Sequence, residues 1–169
     1  MKTISPYIIP PILSLLTAYA LAAMALVRGR VRYENILFAL ICVSWTLPST
    51  SFVFHHLLAD EKTLMTVERT VHTFYVLMPA LSVLFFQRVT DQKNKYIIAV
   101  FFTIAIAISA TVHTEYYFYA FYVYDWGRIA RGGAAFTVFY SYGLIATLYI
   151  MWLFANKYRK EKNSVVRVK

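Results

Sequence analysis

The chain has 169 residues, 60% of them hydrophobic and 18% aromatic, with a mean hydropathy of +0.56, a formal charge of +9 and a single cysteine. An apolar fraction this far above that of ordinary soluble domains identifies an integral membrane protein, and a lone Cys42 inside an apolar run excludes a disulfide framework and a cysteine zinc site. The basic residues lie in short loops between apolar runs and form no single stripe, so membrane topology accounts for them and no nucleic-acid partner is expected.

A bilayer core takes about 20 apolar residues per helix, and five stretches approach that requirement: 7–27, 36–58, 67–86, 96–112 and 134–155. The expected fold is an all-α integral membrane protein, a bundle of five transmembrane helices over residues 1–156 followed by a basic cytoplasmic tail, 157–169. The first stretch is read as a span and not as a cleaved signal, because only Lys2 precedes it and its apolar run is span-length. Pro10 and Pro11 fall in its first turn, where a missing N–H costs little. Pro48 and Pro79 lie within the second and third spans and predict kinks. The fourth span carries Ala99, Thr103, Ala107 and Thr111 at four-residue spacing, a seam of small residues that admits a close neighbour. The fifth interleaves Phe136, Phe139, Tyr140, Tyr142, Tyr149 and Trp152 with Gly143, a pattern that reads first as packing.

Orientation follows from Lys and Arg. Twelve of the 17 fall on one side: Arg28, Arg30 and Arg32 after the first span, Arg88, Lys93 and Lys95 after the third, and Lys157, Arg159, Lys160, Lys162, Arg167 and Lys169 in the tail. The positive-inside rule then puts the N-terminus outside and the tail in the cytoplasm, with Arg28, Arg30, Arg32, Lys157, Arg159, Lys160 and Lys162 at the membrane surface. The stretch "HTEYYFYAFYVYDWGRIARGG" becomes an extracytoplasmic loop. Its Tyr and Trp rings suit the membrane–water interface, and the glycines at 127, 132 and 133 supply turns into the last span. It reads as an aromatic belt without a ligand, or as a ligand-binding lid carrying Tyr124 and Trp126.

The segments "NILFALICVSW", "MPALSVLFFQRVTDQ" and "YDWGRIARGGAAFTVFYSYG" occur in an order that resembles the seven-helix membrane input domain at the N-terminus of many bacterial histidine kinases and related diguanylate cyclases. The resemblance covers most of residues 7–160. It implies a sensory module in the bacterial inner membrane that passes a change of state to a cytoplasmic output region, and it carries over no ligand. That family's domain has two further helices before its signalling region, whereas this sequence stops at "NKYRKEKNSVVRVK". The expectation is either a piece of such a protein or a five-helix relative that acts through a partner.

Four histidines carry the remaining chemistry. His55 and His56 end the second span, His72 lies early in the third and His113 ends the fourth, so all four fall toward the outer leaflet. Imidazoles at one depth on separate helices suit haem, a metal or a quinone, with His72 and one of His55, His56 or His113 as the haem pair. The plainer alternative is interfacial hydrogen bonding. Glu68 and His72 are one turn apart and share a face, while Arg69 between them is expected to snorkel outward. An ionisable cluster at the bilayer edge marks either local pairing or a functional site, which makes Glu68, His72, Tyr124 and Trp126 the candidate ligand-binding residues.

No hydrolase triad, metalloprotease His-Glu-x-x-His, P-loop or kinase motif is present, and no enzyme is expected. Two functions fit: a sensory or signal-transducing membrane module whose partner is a separate cytoplasmic signalling protein, and a non-catalytic accessory subunit packed in a larger membrane complex, such as an electron-transfer complex with a haem or quinone site near the outer leaflet.

Overall fold

The structure is a computed structural model that describes residues 6–27, 32–58 and 60–167, with side chains through Glu161. Arg28 and Arg30, expected at the membrane surface, lie outside the described residues, as does the side chain of Lys162. After a short 3-10 turn, Pro6–Ile8, come the helices α1 (Ile9–Val27), α2 (Tyr33–Leu57), α3 (Glu61–Tyr75), α4 (Met78–Val89) and α5 (Lys95–Thr111), the strands β1 (Phe118–Tyr124) and β2 (Gly127–Gly132), and the helix α6 (Ala134–Arg167). The chain is mostly helical but not all-α: β1 and β2 form an antiparallel hairpin in the segment expected to be an aromatic extracytoplasmic loop. Seven consecutive residues, Phe-Tyr-Ala-Phe-Tyr-Val-Tyr, are nearly all strand formers. Asp125 and Trp126 make the loop, closed by the Tyr124–Gly127 pair.

Four segments among the described residues are long and apolar enough to cross a membrane: Pro6–Val27, Tyr33–Leu57, Glu61–Val89 and Ala134–Glu161. The third is two helices in series. It starts at Glu61 instead of residue 67, because Asp60 caps α3 by accepting from the Thr63 amide and hydroxyl, bonds that hold the Asp60 carboxyl below the usual carboxylate range. It is interrupted at Val76 and Leu77, just before Pro79 at the start of α4, as a proline within the span predicts. Pro48, by contrast, sits inside an unbroken α2. The α5 helix is shorter, at 17 residues.

Contacts sort the elements into two ends. At one end the hairpin meets the C-terminus of α2 and the middle of α3, and Trp126 approaches Tyr7 ahead of α1. At the other, Arg88 lies over the ring of Tyr33, and Gln92 bonds Asn156 and the Leu153 carbonyl. Among the described residues α1, α2, α3 with α4, α5 and α6 follow one another between these two ends. The core lies among α4, α5, α6 and the base of the hairpin, where Val83, Ala105, Val112, Tyr117 and Phe118 are fully or almost fully buried. The α1 helix packs on α2 through the small residues Ala22, Ala39 and Cys42 and otherwise exposes apolar side chains. On α5 the buried face is Phe101, Ala105 and Ile108, which leaves the small-residue seam at Ala99, Thr103 and Ala107 exposed.

The α6 helix has no break at residue 156. It continues to Arg167, so the basic segment is a helical extension of the last span. At its start, the amides of Gly133 and Ala135 donate to the carbonyls of Tyr117 and Tyr116, tying the helix to the hairpin base. The approach is so close that a Cβ on Gly133 would sit 2.3 Å from the Tyr116 carbonyl oxygen, whereas a Cβ on Gly143 would meet nothing within 4 Å. Gly133→Ala should therefore destabilise the fold by about 1–3 kcal/mol through overpacking against backbone, while Gly143→Ala should be neutral or stabilise by up to about 1 kcal/mol. Unfolding titrations in detergent would separate the two; equal effects would show that the junction is not tightly packed.

Candidate functional site

Beneath the hairpin, α2 and α3 bring His55, Glu68 and His72 together. The side chains of His55 and Glu68 are 1% and 8% exposed, and His55 Nε2 lies 2.5 Å from Glu68 Oε1. His55 Nδ1 lies 2.6 Å from the Arg128 carbonyl oxygen of β2. A carbonyl only accepts, so Nδ1 carries a hydrogen and donates it. The Nε2–Oε1 contact then holds one proton, either as imidazolium donating to carboxylate or as carboxylic acid donating to neutral imidazole. Both forms are neutral as a pair, which is how two ionisable groups are tolerated at this depth.

The second carboxylate oxygen, Glu68 Oε2, is buried and accepts no hydrogen bond. His72 Nδ1 is 3.2 Å from it, but that ring N–H is directed at the Glu68 backbone carbonyl, 3.0 Å away. Glu68 and His72 line a cavity of about 120 Å³ walled by Phe52, Phe118, Phe136 and Tyr140. The His72 ring packs edge-on to Phe118 at 4.7 Å. Nearby, Tyr117 is fully buried and its hydroxyl has no partner; burial, with the phenols of Tyr140 and Tyr75 and the Glu68 carboxyl around it, holds the Tyr117 phenol well above its usual range.

Arg69 does not snorkel. Its guanidinium turns to the hairpin, with Nη2 donating to the Phe118 carbonyl at 2.6 Å and Nη1 to the His113 carbonyl at 3.1 Å. Those carbonyls stand where α5 leads into β1, and the planar fork of a guanidinium reaches both at once. Thr73 completes the link: its hydroxyl donates to the Arg69 carbonyl, so it accepts from the Nε2–H of His113, 3.0 Å away.

The four expected histidines are thus brought to one end but to three places. His55 and His72 flank Glu68, His56 lies against Gly127 at the hairpin turn, and His113 is bound to Thr73. Both ring nitrogens of His55 are occupied, the cavity beside His72 holds about 120 Å³, and among the described residues no three His, Cys, Asp or Glu side chains are grouped to hold a metal ion. A haem needs a free axial nitrogen and a pocket several times larger, so these residues fit it poorly.

Tyr124 and Trp126 do not belong to this cavity. They stack on each other at 5.2 Å near the hairpin tip and are 46% and 37% exposed, so the rings expected to be buried as a lid are buried only at its base, Tyr117 and Phe118. Arg131 lies over the rings of Tyr119 and Tyr122. Trp126→Ala should accordingly cost about 1–3 kcal/mol, the range of its two aromatic pairs with Tyr124 and Tyr7, measured by chemical unfolding; a loss well beyond that would place Trp126 in the core of the lid.

Sequence reasoning missed a second polar cluster at the opposite end. Gln87, 1% exposed, donates to the Tyr149 hydroxyl and accepts from the Asn94 amide. Gln92 donates to the Leu153 carbonyl and accepts from Asn156, and Lys157 donates to the Val89 carbonyl. The signal was two glutamines, 87 and 92, where an apolar run passes into a short basic loop. In comparisons with known proteins no family model, no curated protein and no solved structure matches the chain, so its own geometry carries the functional assignment.

Proposed function

We propose that the chain is a sensory input module of a bacterial inner membrane, with the hairpin outside and the basic end of α6 in the cytoplasm, where it passes a change of state to a signalling protein. The observation that carries this reading is the direct succession of hairpin, Gly133 and α6. At about 1.5 Å per residue, the 34 residues of α6 reach roughly 51 Å, well beyond a hydrocarbon core of about 30 Å. A shift of the hairpin, set by the state of the His55–Glu68 pair, has a continuous helix along which to travel. The division of basic residues supports the orientation, and the resemblance to seven-helix input domains supports the role.

The test places spin labels at the exposed positions 95 and 159 of the opposite end and compares the native protein in liposomes with the double variant His55→Leu plus Glu68→Leu. Removing both partners of a buried pair together spares the fold, so a changed distance distribution is the expected result. An unchanged distribution overturns the sensory reading. Cysteines at positions 62 and 93 test the orientation: the first should be labelled from outside intact cells and the second protected.

A second reading has its own observation. The exposed seam of Ala99, Thr103 and Ala107 on α5 is shaped for close approach by another helix, which favours an accessory subunit of a larger membrane complex. Co-purification of a fixed set of chains, lost on Thr103→Phe, would support it.

A further inference from the structure

The cavity at Glu68 borders a second space. Tyr140 is shared with a larger groove of about 440 Å³ between Trp45 of α2, the α3–α4 turn and α6, lined by Tyr75, Met78, Phe139, Gly143 and Leu144. That volume lies within the range of about 300–1,000 Å³ occupied by small-molecule sites. The small cavity and the large groove differ in chemistry. The groove is mostly apolar, with Ser82 and Thr147 among its lining, and lies among helices long and apolar enough to be surrounded by lipid. The small cavity has aromatic walls, Phe52, Phe118, Phe136 and Tyr140, and one unsatisfied acceptor, Glu68 Oε2.

Size and hydrogen-bond accounting define what fits. A cavity of about 150 Å³ holds one benzene ring, so a space of about 120 Å³ that is open on one side takes at most a single ring, with its substituents at the opening, and excludes a fused ring system. Rings at these walls pack against one another, Phe136 edge-on to Tyr140 at 4.7 Å and tilted against Phe118 at 4.8 Å, and a ligand ring can join them in the same way. Because the proton between His55 and Glu68 sits at Oε1 in either form of the pair, Oε2 is an acceptor in both. The ligand must therefore bring a donor, and a buried acceptor left without one is costly.

We infer that the cavity and the groove, which meet at Tyr140, together bind a lipid-soluble quinol: a single hydroxylated aromatic ring beside His72 with one O–H donated to Glu68 Oε2, and its apolar tail laid along the groove past Tyr140 and Gly143. A quinone, which has carbonyl oxygens in place of hydroxyls, meets Oε2 with a second acceptor, so the site discriminates the reduced form from the oxidised one. Acyl-chain alcohols offer the donor without the ring. The inference deepens the sensory reading and rests on the same Glu68 cavity, but its assay reads ligand retention and not the far end of α6, so either idea can fail without the other.

The experiment uses the full chain in nanodiscs of synthetic phosphatidylcholine, held without oxygen. Retention of decyl-benzoquinol, decyl-benzoquinone and decanol is measured against empty nanodiscs. One saturable equivalent of the quinol is expected, with the quinone and decanol weaker by about tenfold or more, the factor set by loss of one hydrogen bond to a charged acceptor or of one aromatic contact. Glu68→Gln should keep binding, since its amide can donate to His55 and leave an oxygen facing the cavity. The double variant His55→Leu plus Glu68→Leu should lose it. Gly143→Leu, which fills open space in the groove, should weaken decyl-benzoquinol while leaving tail-less benzoquinol unchanged. Equal retention of all three probes, retention no greater than in empty nanodiscs, or indifference to both the double variant and Gly143→Leu would overturn the assignment.

Discussion

Glu68→Ala should destabilise the protein by about 3–5 kcal/mol, the penalty for stranding one member of a buried ion pair, and His55→Ala should cost a similar amount. Each single change leaves a polar or charged atom in a space where the partner side chain is almost fully enclosed. In the Glu68→Ala variant the His55 Nε2 has no partner. In the His55→Ala variant neither carboxylate oxygen of Glu68 accepts a hydrogen bond, and the Arg128 carbonyl loses its donor. His55→Leu plus Glu68→Leu removes the pair together and should cost far less than the sum of the singles, so that a double-mutant cycle reports a coupling of about 2–3 kcal/mol. Glu68→Gln should cost about 1 kcal/mol or less, because the amide N–H donates to the neutral imidazole and His55 keeps its bond to Arg128. Unfolding in mixed micelles provides the measurement. Additive single effects below about 1 kcal/mol each would show that the two groups are solvated in the membrane-bound protein and not coupled.

The helices were legible in the sequence because their signal is compositional: runs of apolar residues near span length, a proline at 79 and basic loops between them. Their ends were less so, since the polar first turns of α3, Glu61 to Thr66, belong to the helix by virtue of the Asp60 cap and not of hydropathy. The hairpin was hidden because Tyr and Phe are at once the residues of an interfacial belt and of a β-strand, and only the pairing with Arg128–Gly132 separates the two. For the site, the spacing of Glu68 and His72 placed both on one face of α3. It did not reveal that Glu68's nearest partner is His55, thirteen residues earlier on another helix, because a pairing across helices has no period in the sequence. Arg69 was misjudged for a related reason. Snorkelling is the default for an isolated side chain, and the two carbonyls that redirect it come from a turn some 45 residues later in the chain.

Arg69→Ala should destabilise the protein by about 2–3 kcal/mol and, more specifically, free the hairpin. A two-stranded hairpin is marginal by itself in water, and this one has a side-chain tether on each strand: Arg69 on the Phe118 carbonyl at the base of β1, and His55 on the Arg128 carbonyl of β2, beside the turn. Charge-assisted bonds of this kind contribute about 1.5–3 kcal/mol each, but the bond to His113 lies at the exposed rim, where water replaces the lost donor. Most of the loss therefore arises at Phe118, which is 1% exposed. Arg69→Lys should recover less than half of it, because a single ammonium cannot serve two carbonyls in the geometry of a guanidinium fork. Hydrogen exchange gives the discriminating readout. Amides of residues 118–132 should exchange faster in Arg69→Ala while those of α1 and α2 keep their native rates, since the guanidinium's bonds run to the hairpin and the end of α5. Combining Arg69→Ala with His55→Leu cuts both tethers, and protection across the hairpin should then be lost altogether while α6 stays helical. Uniform acceleration across the whole chain would instead mean that Arg69 supports the bundle as a unit and that the hairpin does not open independently.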